Sequence, residues 1–317
     1  MKSSSSPPPI HIGIDVSKLT LDVDLRGQHL QVKNSPKGFA KLFSEVLKIA
    51  DFSMIQISVE ATGCYTRGLV TACLETGLPI ALLNARLVRS YARAAGQLAK
   101  TDKIDAIIIT RYAEVFEPPV LNESWIENER LLQFHQRLES LIATRAKRKT
   151  SLDHYQDPSI RAEIKREILA LTRRTETYIR DIDLLIESHS GLVEKRQKME
   201  TITGIGPATS RTLIITFPEL GSLNRKQASA LAGLAPMNRD SGAGRGKRTI
   251  QAGRAKPRKA LYMAALTAAY RNPMFSDHFK QLRARGKPVK VALTAIARKL
   301  LIYLNTQLKT PSEIALK

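Results

Sequence analysis

The sequence predicts an α/β amino domain built on a mixed sheet flanked by helices, then a helical hairpin, then a mainly α-helical and basic carboxyl domain. Three observations predict it. Short apolar runs alternate with helical patterns over residues 10–120. Apolar residues from Ile164 to Leu185 step in an unbroken 4-3 rhythm. The last third is rich in glycine, lysine and arginine. At 317 residues the chain has room for two domains of roughly 150 residues and a small connector.

His11–Val16 and Leu19–Leu25 alternate apolar and polar residues and read as strands joined at Ser17-Lys18, with a third short run at His29–Lys33. Asn34-Ser35-Pro36-Lys37-Gly38 interrupts, after which Phe39, Leu42, Phe43, Val46 and Leu47 follow helical spacing. Met54–Val59 is a strand ending in Glu60, Cys64–Glu75 a helix stopped by Gly77, and Pro79–Leu83 a further strand. Two helices, about 85–98 and 102–116, close the region before Pro118-Pro119. A three-stranded meander followed by helix–strand–helix–strand–helix makes a mixed sheet covered by helices over 10–120. Residues 1–9 carry no apolar core of a signal peptide and read as a disordered tail.

Residues 121–194 are charged and nearly free of glycine. Ile164, Ile168, Leu171, Thr175, Tyr178, Ile182 and Leu185 form one seam, and Leu131, Phe134, Leu138 and Leu141 another, with a turn at Asp157-Pro158-Ser159. The expectation is an antiparallel hairpin whose narrow apolar stripe seeks a second hairpin, hence a homo-oligomer.

The net charge of +21 is unevenly placed: residues 1–200 hold 29 Lys/Arg against 25 Asp/Glu, and residues 201–317 hold 21 against 4. A polyanion accounts for that split, because each neutralised phosphate releases condensed counterions. The alternatives are a solvated basic surface or adhesion to an anionic membrane. Aromatic residues make up only 5% of the chain, so a base-stacking platform is not the expected mode of binding. Cys64 and Cys73 are too few for a disulfide framework or a four-cysteine zinc site and read as small buried residues on one helix. The six histidines lack metal-ligand spacing. Nothing approaches the ~20 apolar residues of a membrane span, and a cytoplasmic location is expected.

Within residues 195–317, Gly204-Ile205-Gly206-Pro207 links two apolar helical patterns. Gly204 and Gly206 let backbone amides approach a phosphate at a helix start, as in helix-hairpin-helix DNA-binding modules, although such turns also occur without ligands. The run from Arg245 to Lys259 holds Arg245, Lys247, Arg248, Arg254, Lys256, Arg258 and Lys259 and no acid. It would repel itself without a polyanion and reads as nucleic-acid-binding. Lys280, Arg283, Arg285, Lys287 and Lys290 suit nucleic acid or plain surface equally.

Four carboxylates stand out by placement. Asp15 lies in the first strand and Glu60 ends the Met54–Val59 strand. Asp102 and Asp105 share one face of a starting helix. If those strands are neighbours and the helix crosses them, all four acids converge, and a hard divalent cation such as Mg2+ offsets their repulsion. Taken singly, each is also an ordinary solvated acid, and Asp102 a helix cap. Asp22 and Asp24 alternate with Leu21, Val23 and Leu25 and are expected to face away from the core.

Strand–Asp, strand–Glu and Asp-x-x-Asp on a later helix resemble the RuvC-like branch of the ribonuclease H fold. The hairpin, Gly-Ile-Gly-Pro-Ala, Ala-Leu-Ala-Gly-Leu-Ala-Pro (230–236), Asp240-Ser241-Gly242 and Arg258-Lys259-Ala260-Leu261-Tyr262 follow in order. The whole is similar to the Piv-like insertion-sequence transposases, or DEDD-serine recombinases, over residues 10–305. That resemblance implies that Asp15, Glu60, Asp102 and Asp105 bind Mg2+, and that Ser241 attacks a DNA phosphate to give a phosphoserine. It also implies donor and target DNA as partners and, as in some members, an element-encoded bridge RNA. On the residues alone, Ser241-Gly242 is also just a turn. Two other functions stay open: a metal-dependent, junction-resolving nuclease using water, and a non-catalytic nucleic-acid-binding scaffold.

Overall fold

The structure, a computed structural model, describes residues 8–61, 63–97, 101–237, 249–250 and 253–309. The chain divides into two compact units, Met1–Glu127 and Asn128–Lys317. Among the described residues no helix is long and apolar enough to cross a membrane.

In the first unit, β1 (Ile10–Val16), β2 (Thr20–Leu25) and β3 (Gln28–Lys33) form an antiparallel meander, and β4 (Ile55–Glu60) and β5 (Ile80–Leu83) add parallel to β1. The strand order is β3-β2-β1-β4-β5. Arg26 and Gly27, both at positive φ, make the two-residue turn between β2 and β3, the backbone that matches strand twist. Helices α1 (Pro36–Leu47), α2 (Arg67–Glu75), α3 (Ala85–Ala94) and α4 (Asp102–Phe116) complete the unit. Ser35 caps α1 by accepting from the Gly38 amide, and Pro36 occupies the first turn, where no amide proton is required.

The two faces of the sheet differ. Ile12, Ile14, Val16, Leu21, Val23, Ile55, Ile57 and Val59 are buried with Phe39, Leu42 and Val46 of α1 and Leu69, Val70 and Cys73 of α2. The alternate positions carry His11, Gly13, Asp15, Asp22, Asp24, Gln56, Ser58 and Glu60, and α4 lies against β1, β2 and β4. This second cover corrects one expectation. Asp22 and Asp24 are 3% and 6% exposed, because α4 shields the face that alternation assigned to solvent. Asp22 is satisfied by His29 Nε2 at 2.9 Å and Gln31 Nε2 at 3.0 Å, and Asp24 accepts from the Gly27 amide. Only Cys73 is buried on a helix; Cys64 is exposed in the turn before α2.

The second unit takes most of α5 (Ser124–Ser151) and then α6 (Pro158–Glu187), α7 (Ser190–Glu200), α8 (Pro207–Thr216) and α9 (Arg225–Leu231). The two-residue strands β6 (Pro236–Met237) and β7 (Thr249–Ile250) pair antiparallel, and α10 (Ala255–Arg271), α11 (Pro273–Ala284) and α12 (Val289–Gln307) follow. Asp157 caps α6 through the Ser159 and Ile160 amides. Phe134 of α5 meets Tyr178 of α6 at 5.7 Å between ring centroids, and Arg148 pairs with Glu167, so the two helices run antiparallel. Beyond Leu141, α5 has no buried residue. The core is centred on α10, whose Ala264, Ala265, Ala268 and Ala269 are small enough to admit close neighbours. Gly204 uses that space: a Cβ there would come within 3.0 Å of Ala264 O and of Ala268 Cβ. Its backbone, at φ +111°, is one that only glycine adopts without strain.

Candidate active site

The acidic site is built by the crossing of α4 over β1. Gly13 makes that crossing possible. A Cβ at this position would stand 2.3 Å from Ala106 O and 2.4 Å from Thr110 N, so only glycine lets the helix backbone settle on the strand. Its amide donates to Thr110 Oγ1 at 2.9 Å, and that hydroxyl donates to Ala106 O at 3.2 Å. Two residues further along the same face is Asp15, and one turn back along the helix is its acidic start.

Asp15 and Glu60 lie at the carboxyl ends of the adjacent parallel strands β1 and β4, one step beyond the Ile14–Val59 pair. This is where ligands enter open α/β sheets. Asp102 and Asp105 occupy the first turn of α4. Thr101, not Asp102, caps that helix, through a bond from the Ile104 amide to its hydroxyl. Asp102 therefore needs no capping explanation, and the positive end of the helix dipole favours both acids there. All four carboxylates line one cavity of about 310 Å³, together with Val16, Ala85, Val88, Arg89, Ala92, Gln97 and Ile108.

Its electrostatic signature sits on Asp15, whose carboxyl is pushed up to about 6. Burial is the largest cause, followed by repulsion from Asp105 and Asp102, with a small addition from Asp22. A hydrogen bond from the Val16 backbone works the other way. Among the described residues no three acidic, His or Cys side chains are close enough to hold a metal ion as they stand, so the four acids ring the cavity rather than meet at a point. Their donor set is all oxygen and mutually repulsive, which fits a hard divalent cation that would draw the side chains inward.

The sequence-based reading overlooked Arg89 and Gln97. Arg86-x-x-Arg89-x-x-x-Arg93, between the Glu60 and Asp102 segments, was the available signal.

The basic run expected to bind nucleic acid is divided in the second unit. Ser241, Arg245, Lys247 and Arg248 lie outside the described residues; the chain departs through β6 and returns through β7, paired at Pro236–Ile250 and Met237–Thr249. Arg254 forks onto Glu219 at 2.7 and 2.6 Å, reaches Thr216 O at 3.2 Å and stacks over Phe217. Burial pushes the Glu219 carboxyl up, but the hydrogen bonds and charge of Arg254 prevail and hold it below its ordinary range. Lys256 pairs with Glu139, and Arg258 donates to Gly233 O. The charges of Arg254 and Lys256 are thus matched from within, because α10 starts at Ala255 and draws this half of the run into the fold. Lys259 is exposed. Gly206 is exposed at the start of α8, whereas Gly204 is turned onto α10.

Residues 12–157 match a family model described as a transposase, of the DEDD and IS110 type, and residues 196–280 match one described as "Transposase IS116/IS110/IS902 family". The pilin gene-inverting proteins of Moraxella bovis and Moraxella lacunata are each 27% identical to the chain over 313 residues, covering 92% of it and 93% of their own length. The two matched segments fall on the sheet unit that carries the acidic cavity and on the helices from α8 to α11, and the chain belongs to the IS110 family of transposases, enzymes of DNA transposition and recombination.

Proposed function

We propose that the protein cuts and rejoins DNA through a phosphoserine on Ser241, with Asp15, Glu60, Asp102 and Asp105 as a magnesium-binding set of the RuvC-like, ribonuclease-H type. The observation that carries this reading is the cavity onto which three separate elements bring four acids, with Asp15 pushed up to about 6 by burial and then by Asp105 and Asp102. A site that collects mutually repelling carboxylates at strand ends and a helix start suits a cation and a phosphate. Bound there, Mg2+ would offset the charge that builds on the phosphate oxygens.

The chain's own groups supply the rest. Asp15 and Glu60 are carried by the sheet, and Asp102 and Asp105 by the first turn of α4, so all four acids border one cavity before substrate arrives, and a bound cation would complete their approach. Ser241 Oγ forms one phosphorus–oxygen bond as another breaks. The serine proton is released to solvent as Oγ attacks, and the departing DNA oxygen takes up a proton to leave as a hydroxyl, so no net proton is gained or lost. The ester conserves the bond energy, so the reverse attack rejoins strands without a nucleotide. Arg245, Lys247 and Arg248, close to the serine in sequence, supply a cationic setting for the attack.

Residues 10–120 form the acid-bearing domain, 121–194 the assembly hairpin and 195–317 the serine domain with its helix-hairpin-helix-like turn. Leu169 and Leu184 of α6 and Ile142 of α5 are exposed apolar residues on the hairpin and favour a homo-oligomer. A bridge RNA is a further partner implied by the family resemblance. The protein is to be incubated with the element's end sequences and Mg2+, with and without co-purified RNA, and run on denaturing gels. A protein–DNA adduct that survives denaturation and disappears in Ser241→Ala supports the serine mechanism. Full cleavage by Ser241→Ala would assign the attack to water instead.

A further inference from the structure

Helix α3 borders the acidic cavity and carries Arg86, Arg89 and Arg93 at positions i, i+3 and i+7 of one face. All three are exposed, and Arg89 lines the cavity itself. Among the described residues none of their guanidinium groups has an ion-pair or hydrogen-bond partner, although four carboxylates stand beside the helix. The opposite face holds α3 in place: Val88 is buried, and Tyr91 meets Tyr112 and Phe116 of α4 edge-on at 5.7 and 5.9 Å. Asn84 caps the helix through the Arg86 amide. The arginines are therefore presented on a rigid element, and α3 itself contains no acid.

Stability does not explain this arrangement. Like charges three and four apart on a helix cost a few tenths of a kcal/mol per pair. The cavity, for its part, presents four acids and would repel a phosphate chain approaching it. Arg89 at the cavity, with Arg86 and Arg93 on the same helix beside it, offsets that repulsion, and their planar forks match phosphate oxygens. From Arg86 to Arg93 the helix rises about 10 Å, a span of roughly three base steps of one strand.

We propose that the Arg86–Arg89–Arg93 face of α3 grips the phosphate backbone of the DNA strand whose scissile phosphate enters the acidic cavity, Arg89 standing at its mouth. The proposal rests on the reading of the cavity as the DNA-cutting site.

The test uses the full chain, a fluorescein-labelled DNA duplex and an RNA duplex of the same sequence, with anisotropy titrations across a series of KCl concentrations. Arg86→Gln/Arg89→Gln/Arg93→Gln is expected to lower the salt dependence of DNA binding by about two to three in log–log slope, roughly one per lost phosphate contact. The matching triple-Lys variant keeps the charge and restores the slope. A wild-type slope in the triple-Gln protein overturns the proposal, as does equal loss in the Lys variant. A loss confined to RNA overturns the assignment to DNA. Asp102→Asn/Asp105→Asn is examined in parallel for strand cleavage. If that protein still cleaves, the reading of the cavity fails, whereas the arginine result is decided by the slopes alone.

Discussion

The amide of Gly13 on β1 donates to Thr110 Oγ1 on α4 across 2.9 Å, tying the central strand to the helix whose first turn bears two of the four clustered acids. The bond exists because position 13 has no side chain. Three backbone and hydroxyl atoms occupy the space within 2.7 Å that a Cβ would require.

Gly13→Ala is therefore expected to lift α4 from the sheet. The cost is about 2–3 kcal/mol or more, since the obstructing atoms are mostly backbone and cannot step aside as a flexible side chain would. DNA cleavage should be lost with it, although no carboxylate has been changed. Urea denaturation and a strand-cleavage assay measure the two effects. An unchanged midpoint would show that α4 does not depend on this contact.

Asp15→Asn should separate stability from activity. The folded carboxyl titrates near 6, against 3.8 when unperturbed, so the folded chain keeps a proton that the unfolded chain has released. Below about pH 4 both states are protonated and the residue costs nothing. As the pH climbs through 6 the stability is progressively lost, because the ionised group must then be held out of water and beside Asp105 and Asp102. The amide removes that cost. The variant should be more stable than wild type by about 1–2 kcal/mol at pH 8 after allowance for solvent screening, equal to it near pH 4, and inactive. Thermal melts at the two pH values test the pattern, and a variant less stable at pH 8 would contradict it.

Arg254 and Lys259 should behave differently despite lying in one basic run. Arg254→Gln breaks the fork onto Glu219 and is expected to cost about 1 kcal/mol, leaving the salt slope of DNA binding near wild type. Lys259→Gln should leave the melting temperature unchanged and lower the slope by about one. The reverse assignment of the two effects would mean that Arg254 turns to DNA when DNA is present.

The second unit depends on a charge pair deep in its helices. Arg211 is 6% exposed, and its Nε and Nη2 donate to the two oxygens of Asp183 at 2.9 and 2.7 Å, with Arg196 on the same carboxylate at 3.1 Å. Asp183→Ala leaves a buried guanidinium without its counter-charge and should cost about 3 kcal/mol. Asp183→Asn, which keeps acceptor geometry for one bond, should cost less. Chemical denaturation of the two variants gives the comparison.

Much of the site was legible in one dimension. Asp15 within an apolar strand, Glu60 at a strand end and Asp102-x-x-Asp105 at a helix start are patterns of spacing, and spacing survives in the sequence. Other features depend on partners distant along the chain. The burial of Asp22 follows from α4, some eighty residues later, and the tether of Arg254 follows from Glu219. Alternation in β2 separates two faces but does not say that both are covered. The three arginines of α3 were visible as a helical triplet, but only the placing of Arg89 on the acidic cavity gives that face a role.

The sequence by itself determined the strands and helices of the first 120 residues, the helical hairpin, the acids and the concentration of positive charge in the last third, because periodicity and charge are local properties of a chain. The tertiary structure alone decided which residues share a cavity and which charges are matched from within. Both depend on the crossing of α4 over β1 and the packing of helices around α10, where close approach is set by the absent side chain of Gly13 and the small ones of α10.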